Sequence, residues 1–173
     1  MKAAFIGRFQ PLHLGHQKAI EENRAKYDKI CIVIANPEER TEKNPLTAEE
    51  RKKIIKQCYP NIEIQKLEDN QSDKVWAEKL KEKTSADVVI TQNDWTREAV
   101  EENTDITVKR QEMFQPDIYN ATEVRRRIRS NEEWRYLTPK CARDTIEKYA
   151  DKIRETGPSY EFKPGWKKEN IQN

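Results

Sequence analysis

The chain contains two histidines, His13 and His16, which lie three residues apart near its amino terminus, with Gly15 between them. Arg8 precedes them in the same short stretch. Guanidinium and imidazole groups are good donors to phosphate, and a nearby phosphate favours the charged form of an imidazole, whose ordinary pKa is about 6.5. A glycine has no Cβ, so a ligand can approach its backbone closely. These residue types together predict a phosphate-binding turn.

Two other interpretations of the histidine pair stay open. A pair with this spacing can be structural or simply solvated, since both imidazoles fall on one face of a helical turn. The pair could also begin a zinc site, although the sequence offers no third His, Cys or carboxylate at a suitable spacing. Phosphate binding is favoured because the arginine and the glycine accompany the histidines where a predicted strand meets a predicted helix.

The hydrophobic pattern predicts that strands and helices alternate along the chain. The predicted strands cover residues 3–6, 29–35, 61–67, 86–91 and 106–109. Alternation of this kind implies right-handed crossovers and a parallel sheet, so the predicted fold is α/β, a doubly wound parallel five-stranded sheet with C-terminal helices. The turns after the first and fourth strands would flank the point where the strand order reverses, which brings Asn93 to the same crevice as the histidines.

The C-terminal helices begin with a second candidate phosphate site. Asn120 and Glu123 have the spacing of a helix cap, and Thr122 and Arg125 lie one turn apart near the amino end of the same helix. A solvated basic face is the alternative, because most arginine runs are exposed. The last helix is predicted to begin at residues 138–139, with proline in its first position, and to continue to about residue 155.

Length and composition limit the class of protein. The 173 residues fit one domain, predicted to cover residues 1–155, with a C-terminal tail over 156–173 that is either packed or disordered. A formal net charge of +2 argues against bulk attraction to nucleic acid or to a membrane.

The three cysteines are far apart and odd in number, so reduced thiols are expected. Because no secretory leader or long apolar run is seen, the sequence predicts a soluble, cytoplasmic protein.

The stretch 7–16 reads Gly-Arg-Phe-Gln-Pro-Leu-His-Leu-Gly-His, and its H-x-G-H part resembles the signature of the nucleotidylyltransferase superfamily. The whole ten-residue stretch is similar to the corresponding stretch of the archaeal nicotinamide mononucleotide adenylyltransferases. The segment 120–125 resembles the second motif of the superfamily, and the segment 44–51 resembles a block found in the archaeal members. The resemblance covers about residues 2–155. It implies the Rossmann-like version of the fold, ATP as a substrate, Mg²⁺ bound to the substrate, and a homo-oligomer, often a hexamer.

The activity implied by the resemblance is transfer of AMP from ATP to nicotinamide mononucleotide, giving NAD and pyrophosphate. The residues implied to act in catalysis are Arg8, His13, His16 and Arg125. The predicted ATP contacts are Gly7, Arg8, Phe9, Gln10, His13, Gly15, His16, Asn93, Thr122 and Arg125. The predicted acceptor contacts are Lys43, Asp73 and Trp76. The tryptophan is implied to stack on the nicotinamide ring, and a place in the hydrophobic core is the alternative for it.

A few positions depart from the family pattern. Lys43 stands where relatives have arginine, Asp73 where they often have asparagine, and Gln92 where they commonly have glycine. Residues 35–37 differ from the usual turn after the second strand. Three alternatives therefore stay open: a transferase for another phosphate acceptor (phosphopantetheine, flavin or glycerol phosphate), a nucleotide-binding module without catalysis, and a nucleic-acid contact through the arginine helix.

Overall fold

The computed structural model describes residues 1–35 and 40–158, which form one parallel sheet covered by helices on both faces. The strands are Lys2–Gly7 (β1), Lys29–Ala35 (β2), Glu63–Leu67 (β3), Val88–Thr91 (β4) and Thr107–Arg110 (β5). The helices are Leu14–Lys26 (α1), Ala48–Cys58 (α2), Asp73–Thr84 (α3), Asp94–Asn103 (α4), Ala121–Arg129 (α5) and Arg143–Glu155 (α6). Two short 3₁₀ helices, Arg135–Leu137 and Lys140–Ala142, precede α6.

The strand order is β3-β2-β1-β4-β5, and every pairing is parallel. The order reverses between β1 and β4, where Ala4 pairs with Val89. The predicted doubly wound α/β fold is therefore confirmed. In such a sheet the crevice for ligands lies outside the carboxyl ends of the strands at this reversal, which is where the β1–α1 and β4–α4 turns meet.

Alternate residues of the central strands pack against opposite helical layers. Ile32 and Ile34 of β2 join the core formed with helices α1, α2, α5 and α6, whereas Val33 packs into the core formed with α3 and α4. Ile32 and Val33 have no exposed surface, so β2 is buried on both faces, as its continuous apolar sequence predicts.

Side-chain caps fix the starts of several helices. Thr47 and Glu50 form a reciprocal capping box at α2, and Ser72 caps α3. Asn120 accepts from the backbone N–H of Glu123 at α5, at the predicted position. The predicted start of the last helix is wrong: α6 begins at Arg143. The hydroxyl of Thr138 donates back to the carbonyl of Arg135 at 2.8 Å instead of capping a helix ahead of it, and a 3₁₀ turn follows.

The expectation of three reduced cysteines is wrong for two of them. Cys58, at the end of α2, forms a disulfide with Cys141, in the 3₁₀ helix before α6. Folding brings their Cα atoms to 5.2 Å although 83 positions separate them along the chain. Cys31 is a free thiol in the core, where burial raises its pKa to about 12.

Some predictions concern residues outside the described part of the chain. The predicted tail lies almost wholly there, since the description ends at residue 158, and so do two of the three positions that differ from the family turn, Asn36 and Pro37. The single domain over residues 1–155 stays a prediction. Of the helices described, none is both long and apolar enough to cross a membrane.

Removal of the disulfide should destabilise the protein. We expect the double variant Cys58→Ser/Cys141→Ser to lose about 4 kcal/mol of unfolding free energy, because a cross-link over a separation of 83 residues strongly restricts the unfolded chain. Urea denaturation with and without dithiothreitol measures this loss. The reductant should destabilise the wild type by a similar amount and leave the variant unchanged, and a wild type that is indifferent to the reductant would contradict the assignment.

Candidate active site

The turn between β1 and α1 is held by both the backbone and the side chain of Gln10. Its amide donates to the carbonyl of Leu46 and accepts from the N–H of Leu46, each at 2.9 Å. Phe9 has φ of 51°, a left-handed conformation that is unusual for an aromatic residue. Its ring packs against the ring of His16 at 4.7 Å between centroids. These contacts connect the turn after β1 to the segment before α2.

The two histidines form an interlocked pair at the start of α1. His13 is the N-cap residue, outside the helix proper, and its Nδ1 accepts from the N–H of Gly15 at 3.0 Å. The Nδ1 of His16 accepts from the N–H of His13 at 3.2 Å, and the ring centroids are 3.7 Å apart. An imidazole nitrogen that accepts carries no proton. Each neutral ring therefore carries its proton on Nε2, which makes His16 an uncharged donor.

Both imidazoles are neutral in the ligand-free protein. Burial lowers the pKa of His13 to about 4. Burial, with a smaller contribution from the charge of His13, also lowers the pKa of His16 well below its ordinary value. The charged form expected from the sequence would require a bound anion to offset this cost.

Gly15 has a structural role besides the predicted approach of a ligand, which stays a prediction. A Cβ at this position would lie 2.8 Å from Cε1 of His13 and 3.3 Å from the carbonyl oxygen of Tyr119. The space is thus taken by the imidazole and by the segment that leads into α5. The glycine allows the histidine pair and the second motif to come together.

Arg125 connects α5 to the histidine turn. One Nη donates to the carbonyl of Gln10 at 2.9 Å, and the other contacts the hydroxyl of Thr122 at 3.4 Å. The Nε atom is buried without a hydrogen-bond partner among the described residues. Burial, and then the charges of Arg129 and Arg8, lower the pKa of Arg125 to about 10, so the side chain stays cationic at neutral pH.

A cavity of about 540 Å³ lies between this turn and α5, and we call it the basic cavity. Its lining residues are Arg8, Phe9, Gln10, His16, Glu42, Lys43, Ala121, Thr122, Arg125, Arg126 and Arg129. Five of them are cationic and one is anionic. Ala121 and Thr122 are also the first residues of α5, where unpaired backbone N–H groups attract anions. The chemistry of this lining suits a polyphosphate.

A second cavity, of about 570 Å³, opens on the other side of the turn, and we call it the aromatic cavity. It is lined by residues from the ends of β1, β2 and β4 and by two indoles, which belong to Trp76 of α3 and Trp95 of α4. The indoles lie 4.9 Å apart between centroids. Trp76 is 3% exposed and Trp95 is 41% exposed. Asp69 and Asn70, just after β3, contribute polar groups.

Arg8 and His16 line both cavities. A group bound in one cavity therefore meets a group bound in the other at these two side chains. This junction, with one cationic donor and one neutral donor, is the place where a bond between two bound molecules could be formed or broken.

The structure brings most predicted site residues to the two cavities. Those at the basic cavity are Arg8, Phe9, Gln10, His16, Lys43, Thr122 and Arg125, and those at the aromatic cavity are Gly7, Arg8, His16, Trp76 and Asn93. His13 and Gly15 line neither cavity, and they are linked to His16 by the hydrogen bonds from Gly15 to His13 and from His13 to His16. Lys43, predicted as an acceptor contact, lies in the basic cavity, and Asp73 lies outside both, where it accepts from Nε1 of Trp95 at 3.1 Å.

The sequence did not single out several residues of the lining. Trp95 lies two residues after Asn93, in the first turn of α4, and an aromatic residue at the strand-order reversal was a usable signal. Arg126 and Arg129 belong to the arginine run, but the sequence alone does not say which of its members face the cavity. Asp69 and Asn70 carry no pattern that marks them.

Within residues 1–35 and 40–158 there is no group of three His, Cys, Asp or Glu side chains that could hold a metal ion. The zinc alternative therefore gains no support from the described residues. A divalent cation would fit this site as a partner of bound phosphate, because the lining supplies donors to anions and few oxygen ligands.

Protonation of His13 should oppose folding. Its pKa is about 4 in the folded chain and about 6.5 when unfolded, so the unfolded chain binds more protons between these pH values. The free energy of unfolding should fall by up to about 3 kcal/mol as the pH drops from about 6.5 to about 4. We expect His13→Asn to flatten this dependence in urea titrations at stepped pH, since an amide can still cap α1 but does not titrate. An unchanged slope would contradict the assignment.

Comparison with known proteins agrees with this geometry. The family model described as cytidylyltransferase-like matches residues 4–134. The nicotinamide-nucleotide adenylyltransferase of Methanolobus tindarius is 34% identical over 152 residues, which cover 84% of this chain and 87% of that protein. The protein of the same name from Thermococcus onnurineus is 32% identical over 154 residues, which cover 84% of this chain and 82% of that protein.

A solved structure shows the same fold. It is the bifunctional NMN adenylyltransferase/ADP ribose pyrophosphatase from Francisella tularensis, complexed with AMP and a manganese ion, and it matches 90% of this chain with a TM-score of 0.72 at 19% identity. The chain spans 51% of the length of that protein. The family model and the archaeal relatives together place the chain in the cytidylyltransferase-like family, among the nicotinamide-nucleotide adenylyltransferases.

Proposed function

We propose that the chain transfers the adenylyl group of ATP to the 5′-phosphate of nicotinamide mononucleotide, giving NAD and pyrophosphate. The observation that carries the proposal is the junction of the two cavities at Arg8 and His16. One cavity suits a polyphosphate and the other suits an aromatic ring. The names of the archaeal relatives support the same reaction.

The reaction needs positioning more than it needs a protein nucleophile. The phosphate of the mononucleotide attacks the α-phosphorus of ATP, the bond from that phosphorus to the bridging oxygen breaks, and pyrophosphate leaves. Two anions must be held in line, and the charge that develops on the oxygens must be stabilised. The protein supplies this by fixing donors in advance, because the histidine turn and α5 are already connected in the ligand-free chain.

Each predicted catalytic residue has a distinct task in this scheme. His16 presents an N–H donor at the junction, and His13 holds that ring in place through its own backbone N–H. Arg125 and Arg8 bring positive charge to the same region, where charge on the α-phosphate and on the leaving pyrophosphate grows. The further cations of the basic cavity hold the outer phosphates.

We expect Mg²⁺ to enter with the triphosphate. A divalent ion neutralises phosphate charge and makes pyrophosphate a better leaving group. Lys43, Thr122 and Arg126 would contact the phosphate oxygens that the ion leaves free. The homo-oligomer implied by the resemblance stays a prediction, which size-exclusion chromatography with light scattering can test.

The acceptor can be identified by product analysis. Purified protein with ATP and Mg²⁺ should form NAD and pyrophosphate from nicotinamide mononucleotide in preference to phosphopantetheine, flavin mononucleotide or glycerol phosphate. The aromatic cavity favours a flat ring over the two aliphatic acceptors. Pyrophosphate release with a different acceptor, and none with the mononucleotide, would overturn the proposal.

Two substitutions test the junction. We expect His16→Ala to lower kcat by about 10²–10³ and Arg125→Ala to lower it by about 10² or more, since each removes a donor that acts on transition-state charge. Arg127→Ala is the matched control, because Arg127 lies on the same helix but pairs with Glu123 and lines neither cavity.

Rates of NAD formation and thermal unfolding are measured for all three variants. The control should keep the wild-type rate within about twofold, and all three variants should stay folded at the assay temperature. Near-normal turnover in a folded His16→Ala protein would reject its catalytic assignment.

A further inference from the structure

The carboxyl end of α6 contacts a residue of the basic cavity. Arg129, the last residue of α5, lines that cavity and is 9% exposed. Its Nε donates to the carbonyl of Ile153, in the last turn of α6, at 3.0 Å. Carbonyls in the last turn of a helix lack the usual intrahelical partner and form the negative end of the helix dipole, so a cation is favoured there. Arg129 therefore joins the end of α6 to the cavity that suits a polyphosphate.

The same guanidinium holds a turn that contributes to the lining of the basic cavity. The backbone groups of Thr41 and Asn44 bond to each other in both directions, at 3.1 and 3.2 Å. Glu42 and Lys43 lie at the tip of this turn, where both are exposed and both line the cavity. An Nη atom of Arg129 donates to the carbonyl of Glu42 at 2.7 Å. The position of the turn relative to α5 therefore depends on where the guanidinium lies.

Gly157, just after α6, leaves the space that this guanidinium occupies. A Cβ built on Gly157 would lie 2.6 Å from Cδ of Arg129 and closer still to its Nε and Cζ atoms, well inside van der Waals contact. The φ angle of Gly157 lies outside the left-handed region, so its backbone conformation does not require a glycine. The requirement is for space alone. A side chain at position 157 must displace either the guanidinium or the end of the chain.

We propose that Arg129 and Gly157 are positioning residues of the polyphosphate site, and that they act through the turn over residues 41–44. The guanidinium bridges the carbonyl of Ile153 to that of Glu42, and Gly157 gives it the room to do so. The end of α6 thus helps to set how tightly the triphosphate of ATP is held. This inference rests on the proposed function, because it assigns the triphosphate to the basic cavity.

Calorimetry on the full chain tests the proposal with tripolyphosphate, ATP and nicotinamide mononucleotide as separate ligands. We expect Gly157→Ala to raise the Kd of tripolyphosphate and of ATP about tenfold, because the added methyl group displaces a guanidinium that forms charge-assisted hydrogen bonds. The Kd of the mononucleotide should change about twofold or less, since neither Arg129 nor Gly157 is among the described residues that line the aromatic cavity. In assays of NAD formation, the KM for ATP should rise while kcat stays within about threefold of the wild type.

Two further variants serve as control and as a test of charge. Pro158→Ala is the matched control, because Pro158 is exposed and adjoins Gly157, and its Kd values should stay within about twofold of the wild type. Arg129→Lys keeps the positive charge but loses the planar fork whose separate nitrogens reach the two carbonyls. It should therefore raise the Kd of tripolyphosphate about as much as Gly157→Ala does.

A double-mutant cycle measures the coupling between the two positions. In the Arg129→Ala background, Gly157→Ala should change the Kd of tripolyphosphate about twofold or less, because the group that its methyl would displace has been removed. A merely structural effect of the substitution would appear undiminished in both backgrounds.

The outcomes separate this inference from the proposed function. If the wild type binds tripolyphosphate and forms NAD but Gly157→Ala binds tripolyphosphate within twofold of the wild type, the inference is wrong and the function stands. An equal loss for the mononucleotide, or full additivity in the cycle, also overturns the inference. If the wild type neither binds ATP nor forms NAD, the proposed function itself fails. Should Gly157→Ala fail to fold, Arg129→Lys decides the matter, and wild-type affinity for tripolyphosphate in that variant would overturn the inference.

Discussion

The hydrogen bond from Arg125 to the backbone carbonyl of Gln10 is the contact on which the site depends. It joins two buried residues that are 115 positions apart, at a distance of 2.9 Å. The side chain of Gln10 pairs at the same time with both backbone groups of Leu46. One residue of the first turn therefore fixes the position of α5 and of the segment before α2. Without this hydrogen bond, α5 would lose its link to the first turn, and with it the placement of the residues that α5 contributes to the basic cavity.

The basic cavity is electrostatically costly in the absence of a ligand. Arg125 is buried, its pKa is lowered by burial and by the neighbouring arginines, and its Nε lacks a hydrogen-bond partner among the described residues. A polyphosphate bound there would supply the missing acceptors and relieve the repulsion between like charges. Two hydrophobic core clusters, and a disulfide between the end of α2 and the 3₁₀ helix before α6, stabilise the fold and offset the free-energy cost of these buried charges.

Local patterns in the sequence predicted much of the fold and part of the site. The strand over residues 29–35 and the helix cap at Asn120 rest on short-range signals, and each was confirmed. The features that the sequence could not provide depend on distant contacts. The disulfide joins cysteines that only the folded chain brings together, and the need for Gly15 comes from the imidazole of His13 and the carbonyl of Tyr119. The predicted start of α6 is wrong because the Thr138 hydroxyl donates to the carbonyl of Arg135, which precedes it in the chain. The Thr-Pro sequence alone does not show whether the hydroxyl caps a following helix or bonds to a preceding residue.

The sharing of Arg8 and His16 by two adjoining cavities has a consequence for the end of the catalytic cycle. If the two cavities bind the two substrates as proposed, a dinucleotide would fill both halves at once and lose rigid-body freedom a single time. It would then be retained more strongly than a mononucleotide that fills one half. Such a geometry would restrain the forward reaction as the dinucleotide accumulates.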